Sequence, residues 1–303
     1  MNFFKTIIVV VDSSMDKHAE LERAKRLVDQ TKAKLYLVDV VKDVSLTVRL
    51  LSGDYTHIHQ LLVKEKQEAL DALIAHCRSH GIVADGEVLE GQSSQVTLEA
   101  AKRIHADLII RSAKGVHSLE RGPLGSSAQK LIRRLPCAAW LTRAEHEPVC
   151  KTIVAAVDAT PNDAAHAELN RHILRTSLCL SKQERCKLIV TYAWSLYGSE
   201  MLSHRLPPQE YEVLMEYNRK QHVESFEKLL TEFELHATGA NTRIVEGEPS
   251  SAIPALCHEE HADLLVCGTI ARYGIAGMLL GNTAERIINR VECSVLALTP
   301  VQA

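Results

Sequence analysis

The sequence has little of what several protein classes need. Aromatic residues make up only 4% of the 303 residues, so stacking platforms for nucleic-acid bases are scarce. The 35 basic and 38 acidic residues nearly balance and leave a formal charge of −3, whereas proteins that coat nucleic acids present a basic face. The longest apolar runs, such as Ile7–Val11, are far shorter than the roughly 20 residues of a membrane span. We therefore expect no nucleic-acid partner and no membrane span.

Signals for secretion and for a cysteine framework are also missing. Met1–Lys5 leads directly into an apolar strand pattern without a small-residue cleavage site, which disfavours secretion. The eight cysteines form no Cys-x-x-Cys pair, which is typical of reduced thiols in a cytoplasmic protein. One alternative stays open for a metal: Cys257, His258 and His261 are close in sequence, and Cys257 and His261 can share a helix face in a zinc site.

Two catalytic signatures are absent as well. The chain has no Gly-x4-Gly-Lys-(Ser/Thr) loop, so it lacks the lysine that such enzymes place on the β and γ phosphates. It has no Gly-x-Ser-x-Gly elbow, and its histidines form no recognisable triad. We therefore assign no catalytic residue and expect regulatory binding more than catalysis, with slow ATP hydrolysis as an alternative.

An internal duplication organises the chain. Lys5–Asp12 recurs as Lys151–Asp158 at an offset of 146 residues, and Gly125–Ala128 parallels Gly281–Ala284 at an offset of 156. Repeated segments of this kind indicate two copies of one domain. The ten extra residues are expected in a longer middle helix and loop of the second copy.

Strand and helix patterns alternate within each copy, which predicts an α/β fold with two tandem doubly wound five-stranded parallel-sheet domains at 1–146 and 147–303. Near-continuous apolar strands are typical of sheets that helices cover on both faces. Strands are predicted at Thr6–Val11, Lys34–Val41, Val83–Leu89, Asp107–Arg111 and Ala138–Thr142, and at Thr152–Val157, Cys186–Trp194, Thr242–Glu246, Asp263–Gly268 and Ser294–Thr299.

A ligand is expected beyond the carboxyl ends of the strands, where the strand order reverses. Asp12 and Asp158 follow the first strands, and a glycine-containing loop at 268–283 leads from a fourth strand to a helix start. Glycines and helix N-termini allow phosphate oxygens to approach backbone amides. Glycine, asparagine and threonine are also ordinary helix caps, so capping and phosphate binding both stay open.

These motifs resemble the universal stress protein family, most of all its tandem E group. The family pattern Gly-x-x-Gly-x9-Gly-(Ser/Thr/Asn) matches Gly268-x-x-Ala271-x9-Gly281-Asn282 and Ser112-x-x-Gly115-x9-Gly125-Ser126, and the run Leu280–Glu285 resembles the E group. The resemblance covers the chain twice. It implies an adenine nucleotide alpha hydrolase-like fold, a role in stress survival, and ATP with Mg²⁺ as the cofactor of the members that bind nucleotide.

The resemblance also implies site residues, position by position. The second copy offers Asp158, Ala193, Cys267, Gly268, Ala271, Gly281, Asn282 and Thr283 as the better nucleotide site. The first copy offers a weaker, more degenerate site at Asp12, Val40, Ser112, Gly115, Gly125, Ser126 and Ser127. Arg111 stands beside that site, either to neutralise a phosphate or to pair with a local carboxylate.

Apolar segments after the second strands, Val44–Leu51 and Leu196–Leu202, allow two interpretations. They pack against the neighbouring helix, or they cover an apolar ligand such as an acyl chain. A non-nucleotide interaction scaffold is a further alternative. In the resembled family the last strands pair across a dimer, so we expect an internal pseudo-dimer of the two copies, with further homodimerisation left open.

Overall fold

The computed structural model describes residues 4–42, 55–114, 124–143, 149–160, 163–269 and 280–300. The chain divides into two compact units, Met1–Pro148 and Val149–Ala303, called the first half and the second half.

The first half alternates strands and helices. Its strands pair in parallel in the order β3-β2-β1-β4-β5, so the order reverses between β1 and β4. The strands are β1 (Thr6–Val10), β2 (Lys34–Val41), β3 (Ala84–Glu90), β4 (Leu108–Ser112) and β5 (Ala138–Thr142), and the helices are α1 (Ala19–Thr31), α2 (Tyr55–Ser79), α3 (Ser93–Arg103) and α4 (Ser126–Ile132).

The second half repeats this order, and its described residues include one short helix more than the described residues of the first half. Its strands pair in parallel in the order β8-β7-β6-β9-β10. The strands are β6 (Thr152–Val157), β7 (Lys187–Trp194), β8 (Thr242–Glu246), β9 (Leu264–Gly268) and β10 (Ser294–Leu298), and the helices are α5 (Ala164–Glu184), α6 (Ser199–Arg205), α7 (Pro208–Thr231), α8 (Pro249–Glu259) and α9 (Asn282–Ile288). The prediction of two tandem doubly wound domains is confirmed.

The central strands form because they are apolar on both faces. Ile7, Ile8 and Val9 of β1 are fully buried, as are Ile153 and Val154 of β6. Helices on both sides of each sheet exclude water from these side chains, and burial of each one contributes about 1.5–3 kcal/mol. The predicted strand bounds differ from the observed ones by no more than one residue.

The duplication is visible element by element, but the extra residues lie elsewhere than expected. The first strands start 146 residues apart, the second strands 153, and β4 and β9 start 156 apart. Most of the ten extra residues therefore enter before β7, where α5 has 21 residues and α1 has 13. The sequence predicted that the extra residues lengthen the middle helix. Most of them instead lengthen the first helix of the second half, α5, so the prediction is wrong for most of the extra residues.

The apolar segment after β7 is not packed away from solvent. Tyr197 is 98% exposed, and no residue of α6 is buried. Leu196 and Leu202 are partly buried, and α6 contacts α7, so packing against a neighbouring helix accounts for some of these apolar side chains but not for Tyr197. The counterpart at Val44–Leu51 lies outside the described residues.

No described helix has the length and apolar character to cross a membrane.

Candidate functional site

A cavity of about 460 Å³ opens at the carboxyl ends of β6, β7 and β9, where the strand order of the second half reverses. This volume lies within the range of small-molecule sites. Seven of the eight residues predicted for the second-half site line the cavity, and Ala271 lies outside the described residues. The seven are Asp158, Ala193, Cys267, Gly268, Gly281, Asn282 and Thr283. Residues from four separate stretches of sequence therefore meet around one space.

Asp158 is held in place from two directions. Its backbone N–H donates to Asn170 Oδ1 at 3.0 Å, and Asn170 Nδ2 donates to the Asp158 carbonyl at 2.6 Å. The carboxylate accepts from the Thr160 backbone N–H at 3.1 Å, which is an ordinary turn-forming contact of aspartate. One carboxylate oxygen is thereby engaged in the turn, and the side chain remains half-buried at the cavity wall.

Gly268 packs closely against Leu169. A Cβ atom there would lie 2.5 Å from Leu169 Cδ2 and 3.1 Å from Leu169 Cγ. Because Leu169 also lines the cavity, the missing side chain lets α5 approach the end of β9 and fixes one wall. The sequence pattern located this glycine, and the structure shows a packing role for it beside Leu169.

Replacing Gly268 by alanine is expected to push the flexible end of Leu169 into the cavity. We expect about three- to tenfold weaker nucleotide binding and a loss of about 1 kcal/mol in unfolding free energy, as for modest overpacking. Isothermal titration calorimetry and urea unfolding measure the two effects. Ser112→Ala at the equivalent first-half position serves as the control; equal affinity losses in both variants would contradict this role for Leu169.

The start of α9 forms the opposite wall. Gly281 is the N-cap residue with ordinary extended backbone angles (φ −65°, ψ 144°), and its N–H donates to the Thr269 carbonyl at 2.9 Å. Asn282 and Thr283 follow in the first turn, and both are exposed. Because Gly281 occupies the capping position, Asn282 and Thr283 lie inside the helix, and both line the cavity. Both side chains can therefore reach a ligand in the cavity.

Sequence reasoning missed several other cavity residues. His166 and Asn170 project from α5, and Glu248 precedes α8. His166 Nδ1 lies 2.9 Å from Asp163 Oδ1, and hydrogen bonds from His166 lower the pKa of the Asp163 carboxyl. A signal was present in the duplication, because the run His-Ala-Glu-Leu occurs at His18 and again at His166.

The first half uses the equivalent space differently. Lys66 of α2 places its Nζ 3.1 Å from Asp12 Oδ1 and 2.8 Å from Asp39 Oδ2. Asp39 is only 2% exposed and also accepts from the Ser13 backbone N–H at 2.7 Å. Partial burial works to raise the pKa of Asp12, but hydrogen bonds from Ser14 and Lys66 outweigh it and leave that pKa lowered. Asp12 is thus already engaged by a cation of its own chain.

In the second half, Tyr192 and His222 lie where the first half has Asp39 and Lys66. The sheet register aligns Asp39 with Tyr192, and the Tyr192 hydroxyl lies 2.7 Å from His222 Nδ1 and 3.0 Å from Thr160 Oγ1. The His222 ring stacks on Trp194 with centroids 4.6 Å apart. The Asp12 carboxylate pairs with Lys66, and Tyr192 takes the position of Asp39 in the second half, so the surroundings of Asp158 differ from those of Asp12.

The remaining residues predicted for the first half are distributed around the same sheet edge. Val40 is the penultimate residue of β2 and is half-buried. Ser112 Oγ donates to the Lys114 carbonyl at 2.6 Å, and the Gly125 N–H donates to the Ala113 carbonyl at 2.9 Å. Ser126 and Ser127 start α4. Gly115 lies outside the described residues.

The alternative zinc site is wrong. Within the described ranges no three His, Cys, Asp or Glu side chains form a group that can hold a metal ion. Cys257 is buried, and a hydrogen bond with Cys293 together with burial raises the pKa of its thiol. The His258 side chain is 81% exposed, with Nδ1 3.7 Å from Glu292. Helical spacing predicted that Cys257 and His261 share a helix face, but α8 ends at Glu259, and Cys257 is buried whereas His261 is exposed.

Comparison with known proteins identifies relatives over the whole chain. The model of the universal stress protein family matches residues 3–143 and again 150–299. The chain is 24% identical over 306 residues to the universal stress protein E homolog of Haemophilus influenzae, covering 98% of each chain. It is 22% identical over 308 residues to universal stress protein E of Escherichia coli, covering 100% of this chain and 96% of the relative.

A solved structure supports the same architecture. A functionally unknown protein from Pseudomonas aeruginosa superimposes with a TM-score of 0.76 at 23% sequence identity, over 98% of this chain and 93% of that chain. At this identity the likeness shows the fold. Together with the double family match, it confirms the resemblance that the glycine motifs indicated.

Proposed function

The chain belongs to the universal stress protein family, and we propose that it binds an adenine nucleotide such as ATP in the second-half cavity and acts by regulatory binding. Membership of the family supports a role in the stress response. The observation that carries the proposal is the convergence of Asp158, Ala193, Gly281 and Asn282 on one cavity at the strand-order reversal, where open parallel sheets bind ligands.

The cavity lining combines polar and apolar side chains that suit the parts of a nucleotide. The Asp158 and Glu248 carboxylates accept hydrogen bonds, as an amino group or sugar hydroxyls require. Apolar walls from Ile253 and Ile287 suit the face of a base or sugar.

The first turn of α9 supplies groups that suit a phosphate. Asn282 and Thr283 supply side-chain donors, and the first N–H groups of any helix lack an intrahelical acceptor. These hydrogen-bond donors fit a phosphate group. The Mg²⁺ that accompanies ATP would be held chiefly by phosphate oxygens and water. The role of the chain in this proposal is to bind and orient the nucleotide.

Slow hydrolysis is a second candidate because of one contact. His166 lines the cavity, and Asp163 lies within hydrogen-bond distance of its Nδ1, which is how carboxylates orient a histidine base. Phosphate release that disappears in His166→Asn, with nucleotide affinity retained, supports this candidate. Equal phosphate release from the wild type and from His166→Asn would contradict a role of His166 in hydrolysis.

Calorimetric titration of the full chain with ATP, ADP and AMP tests the proposal. We expect one nucleotide per chain, because Lys66 already pairs with Asp12 in the first half. No heat up to about millimolar nucleotide, the weak end of specific affinities, would overturn nucleotide binding. Native mass spectrometry that instead finds a co-purified lipid in the protein would favour the apolar-ligand alternative.

A further inference from the structure

A group of hydrogen-bonded side chains connects helix α7 to the turn that carries Asp158. The Tyr192 hydroxyl lies 3.0 Å from Thr160 Oγ1 and 2.7 Å from His222 Nδ1. Thr160 also donates its backbone N–H to the Asp158 carboxylate at 3.1 Å. Thr160, Tyr192 and His222, called the Tyr192 cluster, come from the turn after β6, from β7 and from α7. Three separate parts of the second half therefore meet at one hydroxyl group.

Packing fixes the position of this hydroxyl group. Tyr192 and Phe226 are both 0% exposed, and their ring centroids lie 5.8 Å apart. The His222 ring lies nearly flat against Trp194, with an angle of 26° between the two planes. Because buried hydroxyl groups are nearly always hydrogen-bonded, the Tyr192 hydroxyl is held between Thr160 and His222. It therefore restrains the turn at Thr160 relative to β7 and α7.

The Tyr192 side chain lies on the face of β7 opposite the cavity. Ala193 and Ser195 line the cavity, and neighbouring residues of a strand point to opposite faces of the sheet. Tyr192 therefore points away from the cavity and reaches it through Thr160 and Asp158, of which Asp158 lines the cavity. Tyr192 thus acts on a ligand through the position of Asp158 and not by touching the ligand.

The first half connects the equivalent helix and turn by different chemistry. Leu70 of α2 and Phe226 of α7 are both 0% exposed and lie four residues after Lys66 and His222, respectively. These buried positions align Lys66 with His222, and Lys66 Nζ lies 3.1 Å from Asp12 Oδ1. Both halves therefore connect this helix to the aspartate after the first strand, by an ion pair in the first half and through a series of hydrogen bonds in the second.

We propose that Tyr192 and His222 are positioning residues of the second-half cavity and hold Asp158 where it accepts hydrogen bonds from the nucleotide. This role rests on the proposed function, since Asp158 is one of the acceptors assigned to the nucleotide. Asn170 restrains the Asp158 backbone from the side of α5. The Tyr192 cluster restrains the same turn from the side of α7.

Tyr192→Phe tests the proposal, because it removes the central hydroxyl group and keeps the buried ring. We expect about three- to tenfold weaker ATP binding, as for the loss of one neutral hydrogen bond. Calorimetric titration of the full chain measures the affinity. Tyr217→Phe is the matched control, since it makes the same change at a residue of α7 that is 63% exposed.

The wild type distinguishes the two ways in which this experiment can fail. No ATP binding by the wild type would overturn nucleotide binding itself. ATP binding by the wild type with equal affinities for Tyr192→Phe and Tyr217→Phe would overturn the positioning role alone.

A double-mutant cycle with Asp158→Ala separates positioning from a general loss of stability. If Tyr192 acts through the Asp158 carboxylate, Tyr192→Phe should weaken ATP binding in the wild-type background but change it by less than about twofold in the Asp158→Ala background. Equal fold-changes in the two backgrounds would overturn the positioning of Asp158 by Tyr192.

Substitutions of Thr160 keep the test valid if Tyr192→Phe does not fold. Thr160→Ser retains the hydroxyl group that contacts Tyr192, whereas Thr160→Val removes it and keeps a branched side chain. We expect Thr160→Ser to bind ATP about three- to tenfold more tightly than Thr160→Val. Equal affinities of these two variants would overturn the proposal.

Discussion

Replacing Asn282 and Thr283 together by alanine is expected to weaken nucleotide binding about 100-fold. Each side chain offers a donor to an ionised phosphate, and such hydrogen bonds are worth about 1.5 kcal/mol or more, which corresponds to roughly tenfold in affinity for each. The unfolding free energy should fall by less than about 1 kcal/mol, since both residues are exposed and Gly281 is the capping residue. Calorimetry with ATP and urea unfolding separate the two quantities.

The duplication supplies a matched control for this double variant. Ser126 and Ser127 hold the same positions at the start of α4, so Ser126→Ala/Ser127→Ala changes equivalent residues outside the second-half cavity. We expect this control to retain wild-type nucleotide affinity. An equal loss in the two double variants would contradict a single nucleotide site in the second half.

Lys66→Met is expected to lower the unfolding free energy by about 2–4 kcal/mol. The substitution removes the cation from Asp39, whose side chain is 3% exposed, and removal of one partner of a buried ion pair costs about 3–5 kcal/mol. The Lys66 side chain is 23% exposed, so solvent screens part of the interaction and the expected loss is smaller. Urea unfolding at neutral pH measures it.

Lys64→Met is the control on the same helix. Lys64 is 74% exposed and lies 3.8 Å from Glu68, and exposed pairs of this kind contribute about 0–1 kcal/mol. The pKa of Asp12 is lowered in the folded protein, so its share of the stability is present at neutral pH and is lost as pH falls below the ordinary carboxyl pKa. The difference between Lys66→Met and wild type should therefore shrink in acid. Equal losses for Lys66→Met and Lys64→Met at neutral pH would contradict the buried cluster.

Local patterns were sufficient to predict the fold. Apolar strands such as Thr152–Val157 and Ala138–Thr142 are buried on both faces, so their bounds coincide with their apolar runs. The positions of Asp158 and Gly281 follow from the same pattern, because they adjoin a strand end and a helix start. Residues defined by the ends of secondary structure could thus be predicted.

Residues whose role depends on a distant side chain could not be predicted. Lys66 reaches Asp12 across 54 positions of sequence, and Leu169 fills the space beside Gly268. Neither contact leaves a local signature, because it depends on how a helix packs over the sheet. The sequence shows Arg111 beside the predicted first-half site, but only the structure shows that its buried Nη1 has no hydrogen-bond partner among the described residues.

A crystal structure of the full chain grown with excess ATP tests the central claim most directly. We expect nucleotide density in the second-half cavity, with Asp158 and Ala193 on one side and Gly281, Asn282 and Thr283 on the other. An empty second-half cavity beside a nucleotide bound elsewhere, or a cavity filled by the chain itself, would contradict the claim.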